Sequence, residues 1–239
     1  MANLEISYCF KFEDQRQEKI DLVIDDRKIE LINRPDQDLP EWTELEFEQC
    51  PHCPFQSREV PNCPVAVSLI DVIRRFDGVM SYDRVDLEVV TAERRITRNT
   101  EAQKGIGSLL GLLIPASGCP HADFFKPMAR YHLPLASGEE TIFRATGMYL
   151  LAQFFLNKMG KKVDYDLQGL NRIYQNMHIL NISIAERLRG ATRTDSSINA
   201  VIVLDVFTHT INFVIEDHLQ DIQHLFEPYL EEYYKSIMG

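Results

Sequence analysis

The sequence predicts an α+β fold, in which a small antiparallel N-terminal sheet with a cysteine-rich insert packs on a C-terminal α-helical bundle. Three observations predict it. Apolar and polar residues alternate through much of the first hundred positions, the period of half-buried strands. Beyond residue 100 the apolar residues recur at spacings of three and four, the period of amphipathic helices. Between the early strands, "QCPHCPFQSREVPNCPVA" (residues 49–66) places three cysteines within fourteen positions, each followed directly by proline.

In "LEISYCFKF", Leu4, Ile6, Tyr8, Phe10 and Phe12 share one face. "KIDLVIDDRKIELI" continues the pattern through Ile20, Leu22 and Ile24, and "EDQRQE" between them is a hairpin loop. "TELEFEQ" (43–49) reads as a third strand running into Cys50, and 82–98 as a fourth with Val85, Leu87 and Val89 inward. "VAVSLIDVIRRF" (65–76) has helical spacing.

Past residue 100, "EAQKGIGSLLGLLI" is an apolar helix despite its three glycines. Residues 138–160 have Glu139 and Glu140 in the first turn and Lys158 near the end, matching the helix dipole. Residues 166–190 put Leu167, Leu170, Ile173, Tyr174, Met177, Ile184 and Leu188 on one stripe. Residues 196–226 form a final long helix with Asp205 in an apolar run, where a carboxylate needs a partner such as Arg144 or Arg172. The chain thus divides into a strand-rich region, 1–100, containing the Cys-Pro insert at about 49–66, and a helical region, 101–239, packed with it as one unit.

A formal charge of −11 argues against a protein that grips nucleic acid, since phosphate binding needs clustered Lys and Arg. No apolar run is long enough to span a bilayer, and no basic start precedes an apolar stretch, so a cytoplasmic, bacterial address is expected. There, clustered cysteines serve as metal ligands or redox thiols more often than as disulfides.

Four of the five cysteines precede proline: Cys50, Cys53, Cys63 and Cys119. With proline at about 5% of residues, chance gives about 0.2 such pairs. Proline is favoured at the first position of a helix, so Cys63 and Cys119 are expected at helix N-termini, where a thiol's pKa falls. In Cys50-Pro51-His52-Cys53, proline stiffens a turn that can aim both sulfurs at one centre. The four cysteines together form a candidate four-thiolate metal site, with His52 and His121 as substitutes. Zinc is the simplest occupant, and an iron–sulfur cluster takes the same ligands. A reactive dithiol, or plain turn and helix caps, remain as alternatives.

"CPHC" also resembles the active site of thioredoxin-like thiol oxidoreductases, but Pro54, Pro61 and Pro64 leave no room for the long helix that follows it there. The run "QCPHCPF…NCPVA…SGCPHADFFKPMARYHLPLA…ETIFRATGMYLLAQ" resembles an uncharacterised bacterial family sharing these Cys-Pro motifs over about 8–220; the resemblance implies a bacterial cytosolic protein and no activity. The C-terminal Asp205, His209, Glu216, Asp217, His218, Asp221 and His224 do not make a di-iron pattern and read as a solvated face. "QKGIGS" lacks phosphate-loop spacing. No nucleophile triad or paired-carboxylate motif is present.

The resulting expectation is a non-enzymatic metal-binding protein acting by interaction or sensing, through a protein partner or self-association at its acidic helical half. The alternative is an iron–sulfur or thiol-based redox protein.

Overall fold

A computed structural model describes residues 3–191, 195–202, 205 and 219–230. Strands β1 (Asn3–Phe12), β2 (Gln17–Asp25), β3 (Arg84–Val90) and β4 (Arg95–Glu101) form one antiparallel sheet in the order β2-β1-β3-β4. Its even-numbered residues on β1 and β2 (Tyr8, Phe10, Ile20, Leu22, Ile24) and odd-numbered ones on β3 (Val85, Leu87, Val89) are buried. The alternation in the sequence therefore becomes one covered face and one wet face.

Between the two hairpins lie the insert and the helices α1 (Pro64–Ser68) and α2 (Ile70–Phe76). After β4 come α3 (Ala102–Leu113), α4 (Lys126–Arg130), α5 (Gly138–Lys158) and α6 (Gln168–Ala191). Ser137 and Glu140 close a reciprocal capping box on α5, two orphan donors satisfied at once. One hydrophobic cluster runs from Ile6 on β1 to Val201 in the helical 196–202. The α+β arrangement is as the sequence predicts.

Three local expectations are corrected. Residues 82–98 hold two strands, because the Thr91 amide bonds the Arg94 carbonyl (2.9 Å) and the Thr91 hydroxyl caps the same turn. Residues 43–49 are a tight turn and loop joined to the chain by a single bridge, Glu44 to Asn62. Asp205 bonds His178 Nδ1 (2.8 Å), whereas Arg144 donates to the carbonyls of Met128 and Tyr131. His209, Glu216, Asp217 and His218 lie outside the described residues.

The glycines of α3 have separate reasons. Gly105 sits against the sheet, and a Cβ there would come within 2.7 Å of the Phe10 ring; a Cβ on Gly111 would meet nothing within 4 Å. Gly111→Ala should therefore stabilise by the helix-propensity difference, about 0.8–1 kcal/mol. Gly105→Ala gains the same propensity but overpacks the core, at about 1–3 kcal/mol. Thermal melts of the two variants should move in opposite directions, and equal upward shifts would show that Phe10 gives way freely.

Beneath the sheet, the Tyr8 hydroxyl bonds both His132 Nε2 (2.5 Å) and Ser108 Oγ (3.1 Å). Burial, and then the nearby Arg144 charge, push the His132 pKa down to about 3. The unfolded chain takes a proton on this residue near pH 6.5 and the folded chain does not. The unfolded state thus binds more protons between about pH 6.5 and 3, and stability falls on acidification through that window, by up to about 1.4 kcal/mol per pH unit. His132→Gln should flatten the pH 6 to 4 limb of a denaturation series; parallel losses in both proteins would assign the acid sensitivity elsewhere.

Candidate metal centre

The insert is a loop pinched at its base. Cys63 N–H donates to Thr43 O (2.8 Å), Leu45 N–H to Pro61 O (2.8 Å), and the Asn62 amide to the Thr43 hydroxyl (2.9 Å). This clasp brings Cys63 beside the loop that carries Cys50 and Cys53. Within the loop, Cys53 N–H returns to Cys50 O (2.9 Å), closing a β-turn with Pro51 at its second position. Cys119 makes the same turn: Ala122 N–H donates to Cys119 O (2.9 Å), with Pro120 at the equivalent place.

Each proline thus has a local role, though not always the expected one. Cys63 is the N-cap of α1 with Pro64 at the first helical position, as predicted. Cys119-Pro120 opens a turn rather than a helix, because Ala122 closes back on Cys119 before the tight turn Asp123–Phe125 begins. Cys-Pro-His therefore occurs twice as the same turn, and the two histidines meet. The His52 and His121 rings stack with centroids 3.8 Å apart and planes 14° from parallel. His121 Nε2–H donates to His52 O (2.9 Å), and His52 Nε2–H to Asn176 O on α6 (3.1 Å). The two turns are held together by their own histidines, both engaged with backbone rather than pointing at a shared centre. His52 Nδ1 is buried with no hydrogen-bond partner among the described residues.

All four Cys-Pro cysteines line one cavity of about 20 Å³, walled by Leu45, Phe55, Val65, His121, Leu180 and Ile184. They are half-buried, and all five cysteines of the chain are free thiols. As the side chains stand, no group of three or more His, Cys, Asp or Glu among the described residues is arranged to hold a metal ion. The cysteines share a cavity without forming a closed ligand set.

Cys119 does not show the lowered pKa expected of a helix N-terminus. Burial pushes Cys119 up to about 12, only partly offset by the backbone N–H groups of His121 and Ala122. Burial likewise raises Cys50, against a hydrogen bond with Ser183 and ahead of the repulsion from Cys63 and Cys53. Desolvation outweighs the local dipoles because the cavity wall is mainly hydrocarbon.

One residue absent from the sequence reading lies beside the thiols. Arg187 on α6 is 2% exposed, and its guanidinium donates to Trp42 O (2.6 Å), Glu44 O (2.6 Å) and Leu45 O (3.2 Å). No carboxylate reaches it within ion-pair distance among the described residues. Burial lowers its pKa, and the attractions that raise it come first from Cys63 and Cys50, then Glu48 and Cys53. Its position was visible in outline: it falls on the buried stripe with Leu180, Ile184 and Leu188, where an arginine is out of pattern.

Basic side chains near Cys119 and on β4 are held in ion pairs. Lys126 pairs with Asp123 (2.9 Å) and Glu30 (3.3 Å), Arg130 with Asp26 (2.8 Å), and Arg95 with Glu88 (3.1 Å). "QKGIGS" lies within the unbroken helix α3. Asp221 and His224 are exposed. Among the described residues no helix is long and apolar enough to cross a membrane.

Compared with known proteins, residues 6–227 match the family model described as a domain of unknown function, DUF6901. The chain belongs to this family. No curated protein and no solved structure matches it.

High thiol pKa values have a kinetic consequence, since thiolate is the nucleophile. In native, metal-free protein at pH 8, iodoacetamide should label Cys119 at least tenfold more slowly than in urea, followed by peptide mass spectrometry. Native labelling as fast as in urea would mean that the cavity is open to solvent.

Proposed function

We propose that Cys50, Cys53, Cys63 and Cys119 close on a single zinc ion that fixes the insert against α6, and that the protein acts by interaction or sensing rather than catalysis. The observation that carries this reading is the meeting of four free cysteines, from three separate stretches of chain, at one cavity beside a buried arginine that has no carboxylate. A tetrathiolate zinc site carries two net negative charges, and Arg187 lies where that charge would be compensated. The Cys119-Pro120 turn also offers the His121 and Ala122 backbone N–H groups to its sulfur. Closing the site requires the thiols to lose their protons and rotate inward, and the metal's binding energy drives both steps.

A cavity of about 20 Å³ suits one ion, being close to the room that a single water needs, about 10–15 Å³. An iron–sulfur cluster, which the same thiolates would ligate, demands far more space, so the redox reading ranks second.

Metal analysis with an ultraviolet–visible spectrum on protein purified without oxygen or chelator decides between them. The expected result is one zinc per chain, no visible band, and loss of the metal in Cys119→Ser and Cys50→Ser. Stripping the zinc should lower stability by about 4 kcal/mol if the ion is present at a thousand times its dissociation constant, or roughly 8–16 °C in Tm. Iron with visible absorption would select the cluster, and metal-free protein with an unchanged Tm after zinc addition would sink both.

A further inference from the structure

A second site lies along α6, about two turns before the residues that face the thiols. The first half of α6, the outer face of α5 and the segment around α4 enclose an open groove of about 930 Å³. Its walls include Phe124, Met128, Tyr131, Met148, Leu151 and Phe155. Several of these are well exposed: Phe124 55%, Leu151 55% and Phe155 57%. Scattered exposed apolar residues are normal, whereas a contiguous concave set marks a binding surface. The volume falls within the usual range of small-ligand sites, about 300–1,000 Å³.

The charge of the lining narrows the ligand. The chain has 36 acidic and 25 basic side chains, yet the charged residues described in this lining are Arg144 and Arg172, with no Asp or Glu. Arg144 holds the Met128 and Tyr131 carbonyls (3.0 and 2.7 Å) and so fixes one wall. Arg172 is exposed and forms no ion pair among the described residues. Two other polar groups of the wall are engaged: the Tyr149 hydroxyl donates to Asp164 (2.7 Å), and Gln153 accepts the Asp164 N–H (2.9 Å). Arg172 thus places an exposed cation at the edge of a hydrocarbon trough.

We propose that this groove binds an amphipathic anion, a long-chain carboxylate whose alkyl tail lies along Met148, Leu151 and Phe155 and whose head is met by Arg172. The acidic character of the rest of the molecule repels such a ligand elsewhere, which confines it to this groove. The site is independent of the metal reading and stands if no zinc is found.

Calorimetric titration of the full chain with decanoate, below its micellar concentration, and with decanol as the neutral twin tests the proposal. One decanoate per chain should bind at least tenfold more tightly than decanol. Arg172→Gln should bring decanoate down to the decanol value and leave decanol unchanged, while Phe155→Ser should weaken both with circular-dichroism melts unaltered. Equal affinity for the two ligands, or an Arg172→Gln variant with unchanged decanoate binding, overturns the carboxylate assignment. Heat only at micellar concentrations overturns the site itself. So does sedimentation as a dimer that Phe155→Ser dissociates, with no decanoate binding, because the groove then belongs to a second copy of the chain.

Discussion

Arg187 is the interaction on which the arrangement of the cysteines depends. The insert has no sheet partner beyond one bridge, and its backbone carbonyls at Trp42, Glu44 and Leu45 would face a mostly apolar helix. A guanidinium reaching from α6 satisfies all three at once. Hydrogen bonds to a charged group contribute about 1.5–3 kcal/mol each, so three of them are worth several kcal/mol. Burying the charge costs several kcal/mol as well, and the Nε–H has no partner among the described residues. These terms come close to cancelling. The loop is therefore held in place by a cation whose burial its own bonds barely offset, and any negative charge that develops at the neighbouring sulfurs tips the balance toward the folded loop. Fold and site are energetically linked through this side chain.

The part of the fold governed by local periodicity was legible in the sequence. Tyr8, Phe10, Ile20 and Leu22 face inward because a period of two leaves a strand only one way to bury them, and Ser137 with Glu140 marks the start of α5 by chemistry alone. Where tertiary geometry decides, the pattern misleads. Residues 82–98 carry a strand pattern on both sides of Thr91, and only the hydrogen bonds of that threonine split them. "TELEFEQ" alternates well yet finds no strand to pair with, because the clasp between Thr43 and Cys63 spends its backbone groups on loop closure.

The candidate site follows the same division. Cys-Pro spacing named the four cysteines, since proline after cysteine reports a turn or a helix start in either case. It could not report the environment. Cys119 was expected at a helix N-terminus with a lowered pKa, but it sits at a turn, and the cavity walls include Leu45, Leu180 and Ile184, whose desolvation raises Cys50 and Cys119 instead. The His52–His121 stack was equally hidden. Both histidines looked like spare ligands, whereas each spends its Nε2–H on a carbonyl, and their role is to tie two identical turns together.

Helix α6 joins the two sites in one rigid element. Leu180, Ser183, Ile184 and Arg187 face the thiols, while Arg172, Ile173 and Asn176 face the groove about two turns earlier. Asn176 belongs to both, for its residue lines the groove and its carbonyl accepts the His52 ring that braces the first Cys-Pro turn. A rotation of α6 small enough to keep Tyr174 and Leu188 buried would still alter that hydrogen bond, because a hydrogen bond is directional and hydrocarbon contacts are not. Occupancy of the groove and closure of the thiol set would then be felt by one another through a single carbonyl–imidazole contact. That would give the proposed interaction or sensing role a physical means of response, and the coupling is reciprocal by thermodynamic necessity.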